Sequence, residues 1–342
     1  CSTWATIDLT TSFGGVCLTG YSSDLGTRTD IIEDPATNKP LLGIYSTTTP
    51  ANTLGTILMP NTCDQAQPTG AAWSAPKSVG TANQGQFGFR LAASTTNWYI
   101  GFLTAATDVR VSYYTGGAWF ANGHIVETVA TNSANEGVGF AYDSTGDNFY
   151  ISYANTPAAA TGTVGNDMKV GSGTTSELVT GGTAGTLITE VIDNMYSAFP
   201  TTAVPMLSSA IASNGTVGYA YFFQDATVAD SRLYYGIRSG TTTAPIFAQN
   251  IVTSHMEGGA SPLFVGSYPS LAYDSSSNPI IAFYNGVAAE QNLNVARSFN
   301  GGVSFNVVTV DNKTGSSTNL GQYPSVSTYG TAIGIAYYDV TN

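Results

Sequence analysis

Positively charged residues are few in this 342-residue chain. Its 10 Lys and Arg residues stand against 22 Asp and Glu residues, which gives a formal net charge of −12. Such a surface repels polyanions, so nucleic acid and anionic lipid headgroups are excluded as expected partners. Charged residues make up only 9% of the sequence, so we do not expect surface ion pairs to carry its stability.

Residues for metal binding and nucleophilic catalysis are also scarce. The chain has 3 cysteines and 2 histidines, and no H-x-x-x-H or C-x-x-C spacing, so we expect no metal ion. Nucleophile elbows and phosphate loops are missing, and we expect no cofactor. Acidic pairs such as Asp143 and Asp147 are interpreted as solvated turns, because no twelve-residue calcium loop contains them. No apolar run reaches the roughly 20 residues that a membrane-spanning helix needs.

What the sequence contains instead is a repeat of two short strands joined by a polar turn. Residues 31–46 (IIEDPATNKPLLGIYS) and 270–285 (SLAYDSSSNPIIAFYN) align without a gap, and further copies begin at Phe89, Phe140, Ser208 and Pro324. Each copy has an aromatic residue at or near its end, and these lie 51 to 68 residues apart: Tyr45, Phe102, Tyr153, Tyr221, Tyr284 and Tyr337. A period near 50 to 60 built from strands is typical of a β-propeller.

We therefore predict an all-β, six-bladed β-propeller that forms a single domain over residues 1–342. The predicted blades span approximately residues 31–80, 88–130, 137–192, 204–252, 267–311, and 322–342 together with 1–21. The last repeat ends after two strands, and two strands predicted at Trp4–Leu9 and Val16–Tyr21 would complete it. Closure by both chain ends would remove an exposed sheet edge.

One turn in the chain resembles the Asp-box, S-x-D-x-G-x-T-W, of sialidase-type propellers. The segment Ser298–Phe305 reads SFNGGVSF, with Asn300 in place of the Asp and Phe305 in place of the Trp. Glycine supplies the positive φ of a tight hairpin, and the Asx side chain is expected to bond turn amides. The resemblance implies a propeller whose box is a folding device, located between third and outer strands and implying no activity.

The catalytic residues of that family are not reproduced. Sialidases use three converging arginines, a Tyr activated by a Glu, and an Asp. Phe89-Arg90-Leu91 resembles the family's F-R-I/L-P segment, but Ala92 replaces the proline. The other arginines are predicted on third strands, away from the axis, or for Arg28 in a loop: Arg28, Arg110, Arg232, Arg238 and Arg297. We therefore expect a non-catalytic member, with no catalytic residues assigned.

The predicted positions of the three cysteines bring two of them to the same end of neighbouring blades and place the third at the opposite end. Cys17 begins the outer strand of the closing blade, and Cys63 lies in a loop at the same end of the neighbouring first blade. The two are predicted to form a disulfide, whereas Cys1 starts at the opposite end. A first residue Cys1 resembles the lipidated cysteine of mature bacterial lipoproteins, and a sequence boundary that happens to fall there accounts for the same fact.

Candidate ligand-binding residues lie in loops that join strands two to three and four to one, because propeller function is carried by such loops. The candidates are Asp108, Glu136, Asp193, Tyr196, His255, Glu257 and Glu290, with Asp225, Asp230, Met256 and Gln291 nearby. Large apolar groups among these polar residues are typical of an interface. Packing over the blade tops is the alternative interpretation.

Two functional hypotheses follow. The first is an extracellular or cell-surface binding or scaffold domain that engages a glycan, a protein partner or further copies of itself, without a membrane span but with Cys1 as a site for a lipid anchor. The second is a secreted carbohydrate-active hydrolase or lyase that uses carboxylates on the same face, since glycoside hydrolysis needs two carboxyl groups about 5 to 10 Å apart.

Overall fold

A computed structural model of the chain consists almost entirely of antiparallel β-strands. No helix among its described residues is long and apolar enough to cross a membrane. The described residues are 25–37, 39–46, 53–58, 77–79, 84–104, 108–115, 117–120, 123–128, 138–155, 166–179, 187–195, 207–225, 230–241, 244–256, 265–287, 290–311, 320–330 and 332–339.

The strands are assigned here to sheets A to F in chain order. Sheet A contains β1 (Leu25–Asp34), β2 (Lys39–Ser46), β3 (Thr53–Leu58) and β4 (Lys77–Ser78). Sheet B contains β5 (Gln84–Ala93), β6 (Trp98–Thr104), β7 (Asp108–Thr115), β8 (Ala118–Trp119) and β9 (His124–Thr128). Sheet C contains β10 (Gly139–Asp143), β11 (Asn148–Asn155), β12 (Asn166–Thr174) and β13 (Ile188–Met195), with helix α1 (Thr175–Val179) after β12.

The remaining strands belong to three sheets. Sheet D contains β14 (Leu207–Ile211), β15 (Val217–Asp225), β16 (Asp230–Thr241) and β17 (Ala244–Met256). Sheet E contains β18 (Val265–Tyr273), β19 (Pro279–Asn285), β20 (Asn292–Arg297) and β21 (Asn306–Asp311). Sheet F contains, among the described residues, β22 (Leu320–Tyr329) and β23 (Ala332–Asp339).

Strands pair with their neighbours in sequence, as the repeats predict. Sheets A, C, D and E each run in chain order over four strands, and in sheet B both β8 and β9 pair with β7. The predicted all-β class and the four-stranded antiparallel units are therefore confirmed. The number of blades, the closure of the last blade and the single domain stay predictions, and residues 1–24 lie outside the described residues.

Two local predictions are wrong. Arg28 lies in β1 and pairs with Tyr45 rather than in a loop, because the strand continues through a register shift after Leu25. The G-x-G segment at residues 170–173 is interpreted from its sequence as a turn, but it belongs to β12, because its backbone pairs with β13.

Helix α1 directly follows β12 and starts with reciprocal capping. The backbone N–H of Thr174 donates to Glu177 Oε2 at 2.7 Å, and that of Glu177 donates to Thr174 Oγ1 at 3.3 Å. These two bonds satisfy N–H groups that a helix start leaves unpaired, which is the capping-box arrangement.

The chain divides into two compact units. Unit 1 comprises residues 1–129 and 173–187, and unit 2 comprises residues 130–172 and 188–342. In unit 1, the first strands of sheets A and B are in contact, and Asp30 Oδ2 accepts a 2.6 Å hydrogen bond from the backbone N–H of Leu91. Its apolar core includes Leu41, Tyr45 and Trp119.

In unit 2, the first strands of sheets C, D, E and F contact one another in chain order. Ser208 Oγ accepts from the backbone N–H of Leu271 at 3.0 Å, and Ser270 Oγ accepts from that of Val326 at 3.1 Å. Since these bonds join sheet D to E and sheet E to F at repeated positions, neighbouring sheets dock in one common way.

Cores form between neighbouring sheets because alternate residues of a strand face opposite sides. On β19, Phe283 belongs to a cluster shared with sheet D, and Ala282 belongs to a cluster shared with Val326 of sheet F. Every residue of β19 is buried. The middle strands of sheet E therefore supply the core on both faces.

The turn between β20 and β21 has the expected hairpin geometry. Ser298 Oγ accepts from the backbone N–H of Gly302 at 2.8 Å and donates to Asn300 Oδ1 at 2.8 Å. Asn300 Oδ1 also accepts from the backbone N–H of Ser304 at 3.0 Å, and Phe305 packs against the core between sheets D and E. The turn is a folding device, as expected, while its assignment as an Asp-box stays a prediction.

Candidate functional site

Two consecutive sheets of unit 2 begin with the same pattern, Gly-x-Tyr-Pro-Ser. It covers residues 266–270 in β18 and residues 321–325 in β22. Both copies lie at the end of the sheet where the second strand stops, which we call the loop end. In sheet E the third strand starts at this same end. The pattern therefore places equivalent side chains at the loop ends of sheets E and F.

The glycine of the pattern permits a close backbone approach. Gly266 and Gly321 have φ angles of 92° and 93°. A Cβ on Gly266 would lie 2.6 Å from Cβ of Leu233, and one on Gly321 would lie 2.7 Å from Cα of Leu293. Only glycine fits both the conformation and the space. Each first strand is thus seated on the third strand of the preceding sheet.

The tyrosine of the pattern adopts a strained backbone. Tyr268 and Tyr323 have φ angles of 53° and 50°, a region that bulky residues rarely enter. Each precedes a proline, Pro269 or Pro324, which restricts the backbone further. Both lie at a shift in register with the second strand of their sheet, where a bulge can redirect a side chain. Strain of this kind is concentrated at functional sites.

The redirected tyrosines meet between sheets E and F. The ring centroids of Tyr268 and Tyr323 are 4.2 Å apart, with the planes inclined by 48°, and Tyr284 of β19 lies 6.3 Å from Tyr268. Tyr323 is 63% exposed, whereas Tyr284 is 6% exposed. A buried ring thus supports a half-buried ring, which supports an exposed one. We call these three residues the tyrosine platform.

Hydrogen bonds hold the hydroxyl groups of the platform. Burial raises the pKa of Tyr268, and its hydrogen bond with Tyr323 raises that pKa further. Burial also raises the pKa of Tyr284, although a hydrogen bond with the Gln322 side chain acts in the opposite direction. The hydroxyls of Tyr268 and Tyr284 therefore stay protonated at neutral pH, and these two rings add no charge to this end of the sheet.

The connection between β19 and β20 lies at the same loop end of sheet E. Asn285 accepts from the backbone N–H of Val287 at 3.1 Å and donates through its amide to the carboxylate of Glu290. The backbone N–H groups of Glu290 and Gln291 both donate to the Val287 carbonyl, at 2.7 and 3.0 Å. Glu290, one of the residues predicted from the sequence, is therefore exposed on a hydrogen-bonded loop.

Two amide oxygens at the start of β20 have no hydrogen-bond partner within the described part of the chain. They are Oδ1 of Asn292 and of Asn294, whose residues are 4% and 6% exposed. Buried polar atoms are normally paired, with protein or with ordered water. The alternation of β20 places both asparagines on the same face as Ala296, toward sheet D and away from the platform. They therefore do not belong to the platform.

Asp108, another predicted residue, is engaged within sheet B. Its carboxylate forms an ion pair with Arg110 at 2.6 Å and accepts from Thr128 Oγ1 at 3.0 Å. Its backbone N–H donates to Thr104 Oγ1 at 3.1 Å. These contacts tie together β7, β9 and the end of β6, so the visible role of Asp108 is structural.

The candidates of sheets C and D lie at the loop ends of their own sheets. Asp225 pairs in register with Asp230, Met256 pairs with Asp230, and His255 pairs with Ser231. The backbone thus brings Asp225, Asp230 and His255 together at one end of sheet D, while Asp193 pairs with Met168 near the end of β13. Other predicted residues lie outside the described residues: Glu136, Tyr196, Glu257, Cys1, Cys17 and Cys63.

Most carboxylates with resolved contacts serve the fold. Asp274 accepts from turn N–H groups, and Glu190 pairs with the buried Arg238 at 2.8 Å. Burial raises the pKa of Asp30 above its ordinary value, against the opposing charge of Arg90. The described residues contain no group of three or more His, Cys, Asp or Glu side chains that could hold a metal ion. These described carboxylates therefore hold turns and ion pairs within the fold.

Tyr268 and Tyr323 are not among the residues predicted from the sequence. The available signal was the pattern Gly-x-Tyr-Pro-Ser, repeated at residues 266–270 and 321–325. A tyrosine before proline at the start of a strand, preceded by a glycine, recurs there at the spacing of the repeat. The strained backbone itself cannot be inferred from the pattern.

No protein-family model and no curated protein matches the chain. Solved structures do match. A variant of the Aleuria aurantia lectin AAL, in complex with Fucα1-6GlcNAc, has a TM-score of 0.52 at 11% identity and covers 94% of this chain and 90% of its own. The Penicillium chrysogenum α-L-arabinanase complexed with arabinobiose has a TM-score of 0.50 at 10% identity and covers 87% of this chain and 83% of its own.

The fold is that of a β-propeller. At these identities the likeness concerns the fold alone, because one propeller architecture supports many functions. No matching family supports the sialidase-type resemblance, which stays a prediction.

Proposed function

We propose that this β-propeller is a non-catalytic, extracellular or cell-surface protein that binds a glycan at the loop end of unit 2. The tyrosine platform is the observation that carries this proposal. A sugar ring has a face of C–H groups and a rim of hydroxyls, and a tyrosine has an apolar ring and a polar edge. Tyr323 offers such a face to solvent, and the Gln322 amide lies next to it in the chain.

Preorganisation favours this interpretation over simple packing. The left-handed backbone of Tyr268 and Tyr323 costs on the order of 1 to 3 kcal/mol per residue. Packing of the Tyr323 ring does not offset this cost, because most of the ring is exposed to solvent. A site that is rigid before binding loses less conformational entropy when its ligand arrives. The strained Tyr323 is therefore better explained by ligand recognition.

The similar structures support a carbohydrate as the ligand. The Aleuria aurantia lectin structure contains Fucα1-6GlcNAc, and the Penicillium chrysogenum arabinanase structure contains arabinobiose. In this proposal the loop-end residues of unit 2 that were predicted from the sequence would form the rim around the platform: Glu136, Asp193, Tyr196, His255, Glu257 and Glu290. A protein partner or a second copy of the chain is the competing occupant of the same rim.

The finer features of the fold and location belong to the same proposal. Six blades would close through strands formed by residues 1–21, and a Cys17–Cys63 disulfide would tie these strands to the first blade. Cys1 would remain free or carry a lipid anchor at the cell surface. Peptide mapping without reductant tests the pairing, since a disulfide that includes Cys1 would exclude it.

A secreted carbohydrate-active hydrolase or lyase is the second candidate function. It is favoured by the register pairing of Asp225 with Asp230, next to the position of His255, because paired carboxylates are the requirement of glycoside hydrolysis. Turnover on a polysaccharide panel that is abolished by Asp230→Asn, Glu257→Gln or Glu136→Gln would support it and exclude the non-catalytic proposal.

A glycan array read with two matched variants tests the binding proposal. Tyr323→Ala removes the exposed ring of the platform, and Phe299→Ala removes a ring that is 64% exposed at the opposite end of sheet E. We expect Tyr323→Ala to weaken binding about tenfold or more, and Phe299→Ala to leave it unchanged, because an aromatic contact contributes about 0.5 to 1.5 kcal/mol beyond its area. Absence of any glycan whose binding depends on Tyr323 would contradict the proposal.

A further inference from the structure

We propose that the platform selects neutral glycans and rejects glycans that carry carboxylate or sulfate groups. This inference rests on the proposed function and specifies its ligand. It is argued from where the cations of unit 2 lie, what they contact, and which charge is present at the loop end of sheet E.

Binding of an acidic sugar needs a cation that is free to face it, because arginine recognises carboxylate and sulfate groups through paired hydrogen bonds. The described cations of unit 2 are Lys169, Arg232, Arg238 and Arg297. Lys169 belongs to β12 of sheet C, not to the sheets that form the platform.

The two arginines at the far ends of third strands are used by the fold. Arg238 donates to both carboxylate oxygens of Glu190, at 2.8 and 3.2 Å, and is almost fully buried. Arg297 donates to Asp274 at 3.1 Å and lies over the ring of Phe299, 4.7 Å from its centroid. Both contacts lie at the end of the sheet opposite the loop end.

Arg232 is the described arginine of unit 2 nearest a loop end, and it faces away from the platform. Its guanidinium donates to the hydroxyl of Tyr234 at 3.2 Å. Tyr234 packs against the core shared by sheets C and D, whereas the platform lies between sheets E and F. Among the described residues, no cation is therefore placed to pair with an acidic group at the platform.

The charge that is present at the loop end of sheet E is negative. Glu290 is exposed there, and its described partner is the neutral amide of Asn285. The chain as a whole carries −12. Among the described residues no cation offsets the repulsion of an acidic sugar by Glu290, whereas a neutral sugar experiences no such repulsion. Uncharged tyrosine and glutamine side chains complete the match to neutral hydroxyl groups.

Matched pairs of sugars test the inference directly. The probes are the neutral hexose oligosaccharides that bind on the array and the same oligosaccharides with the C6 hydroxymethyl group oxidised to a carboxylate. The affinity of each for the full chain is measured by calorimetry at low and at high salt. We expect the acidic form to bind about tenfold more weakly at low ionic strength, with the gap narrowing as salt screens the repulsion. Glu290→Gln should reduce the ratio between the two affinities.

The outcomes separate the two proposals. Acidic oligosaccharides that bind as tightly as their neutral counterparts, or more tightly as salt is lowered, overturn the selectivity while leaving Tyr323-dependent glycan binding in place. An unchanged affinity ratio in Glu290→Gln overturns the assigned source of the repulsion. Loss of all Tyr323-dependent binding to the array overturns the proposed function itself, and selectivity with it.

Discussion

Sheets E and F begin with the same pattern, and the tyrosine of each copy belongs to the platform, yet their second strands have different surroundings. Every residue of β19 is buried, because β19 lies between β18 and β20. Strand β23 pairs with β22 alone among the described residues, and Ile333 and Tyr337 are 36% and 38% exposed. The second strand of the repeat is therefore a core strand in sheet E, where it is β19. In sheet F, where it is β23, it is an edge strand among the described residues.

The difference indicates that the third and fourth strands of a sheet are needed to bury its second strand. Val308 of β21 pairs with Val295, which belongs to the core facing sheet F, so Val308 lies on the same face. Val308 is nevertheless 57% exposed. The apolar surface on β21 and β23 is what two further strands in sheet F would cover, and residues 1–21 contain the two strands predicted for that position.

Deletion of residues 1–21 is the change expected to have the largest effect. If these residues complete sheet F, their removal exposes an apolar sheet edge and should cause aggregation or a large fall in melting temperature. Deletion of residues 1–3 alone is the control. Both should be measured with reductant present, so that loss of Cys17 does not contribute. A truncated protein as stable as the full chain would exclude the closure of sheet F by the N-terminal strands.

Gly321→Ala is expected to have the next largest effect, because it disturbs the seating of sheet F on sheet E. The new Cβ would lie 2.7 Å from backbone Cα of Leu293, at a φ of 93°. Overpacking together with backbone strain should lower the free energy of unfolding by about 2 to 4 kcal/mol. Gly330→Ala is the matched control in sheet F, since Gly330 also has a positive φ, 58°, but nothing within 4 Å of a new Cβ.

Urea denaturation with intrinsic tyrosine and tryptophan fluorescence measures both variants. Gly330→Ala should cost about 1 kcal/mol, the part due to backbone conformation alone. If Gly321→Ala and Gly330→Ala lower the free energy of unfolding equally, the close contact between Gly321 and Leu293 adds nothing to the cost of the substitution. The same comparison at Gly266, whose Cβ would meet Leu233, extends the test to the junction of sheets D and E.

The strand pairs could be predicted from the sequence because each pair is local. The register of Ile31 with Leu42 and of Leu271 with Ile281 follows from alternating residues on either side of a short turn. The platform could not be predicted in this way. Two residues before the strained Tyr323, Gly321 approaches Leu293 of another sheet, and this contact joins residues that no local pattern relates.

A pH effect confined to sheet E is the smallest expected difference between the two sheets. The turn after β18 contains Asp274, whereas the turn after β22 has glycine at position 330. Burial acts to raise the pKa of Asp274, but hydrogen bonds from the backbone N–H groups of Asn278 and Ser276 and from Arg297 outweigh it, so the pKa lies below its ordinary value of 3.8.

The sign of the effect follows from that direction. Because the pKa in the folded state is lower than in the unfolded state, the ionised carboxylate stabilises the fold above pH 3.8, and this contribution disappears as the pH falls through the folded-state pKa.

Asp274→Asn keeps an acceptor oxygen for the turn but loses the charge opposite Arg297. We expect it to cost about 1 kcal/mol at neutral pH, a cost that shrinks as the pH falls below 3.8 and vanishes below the folded-state pKa of Asp274. Hydrogen exchange at several pH values, comparing peptides from β18–β19 with those from β22–β23, should show the loss of protection in sheet E alone. A loss that stays constant from pH 7 to pH 3 would mean that the charge of Asp274 does not contribute, and an equal loss in sheet F would mean that the turn does not act locally.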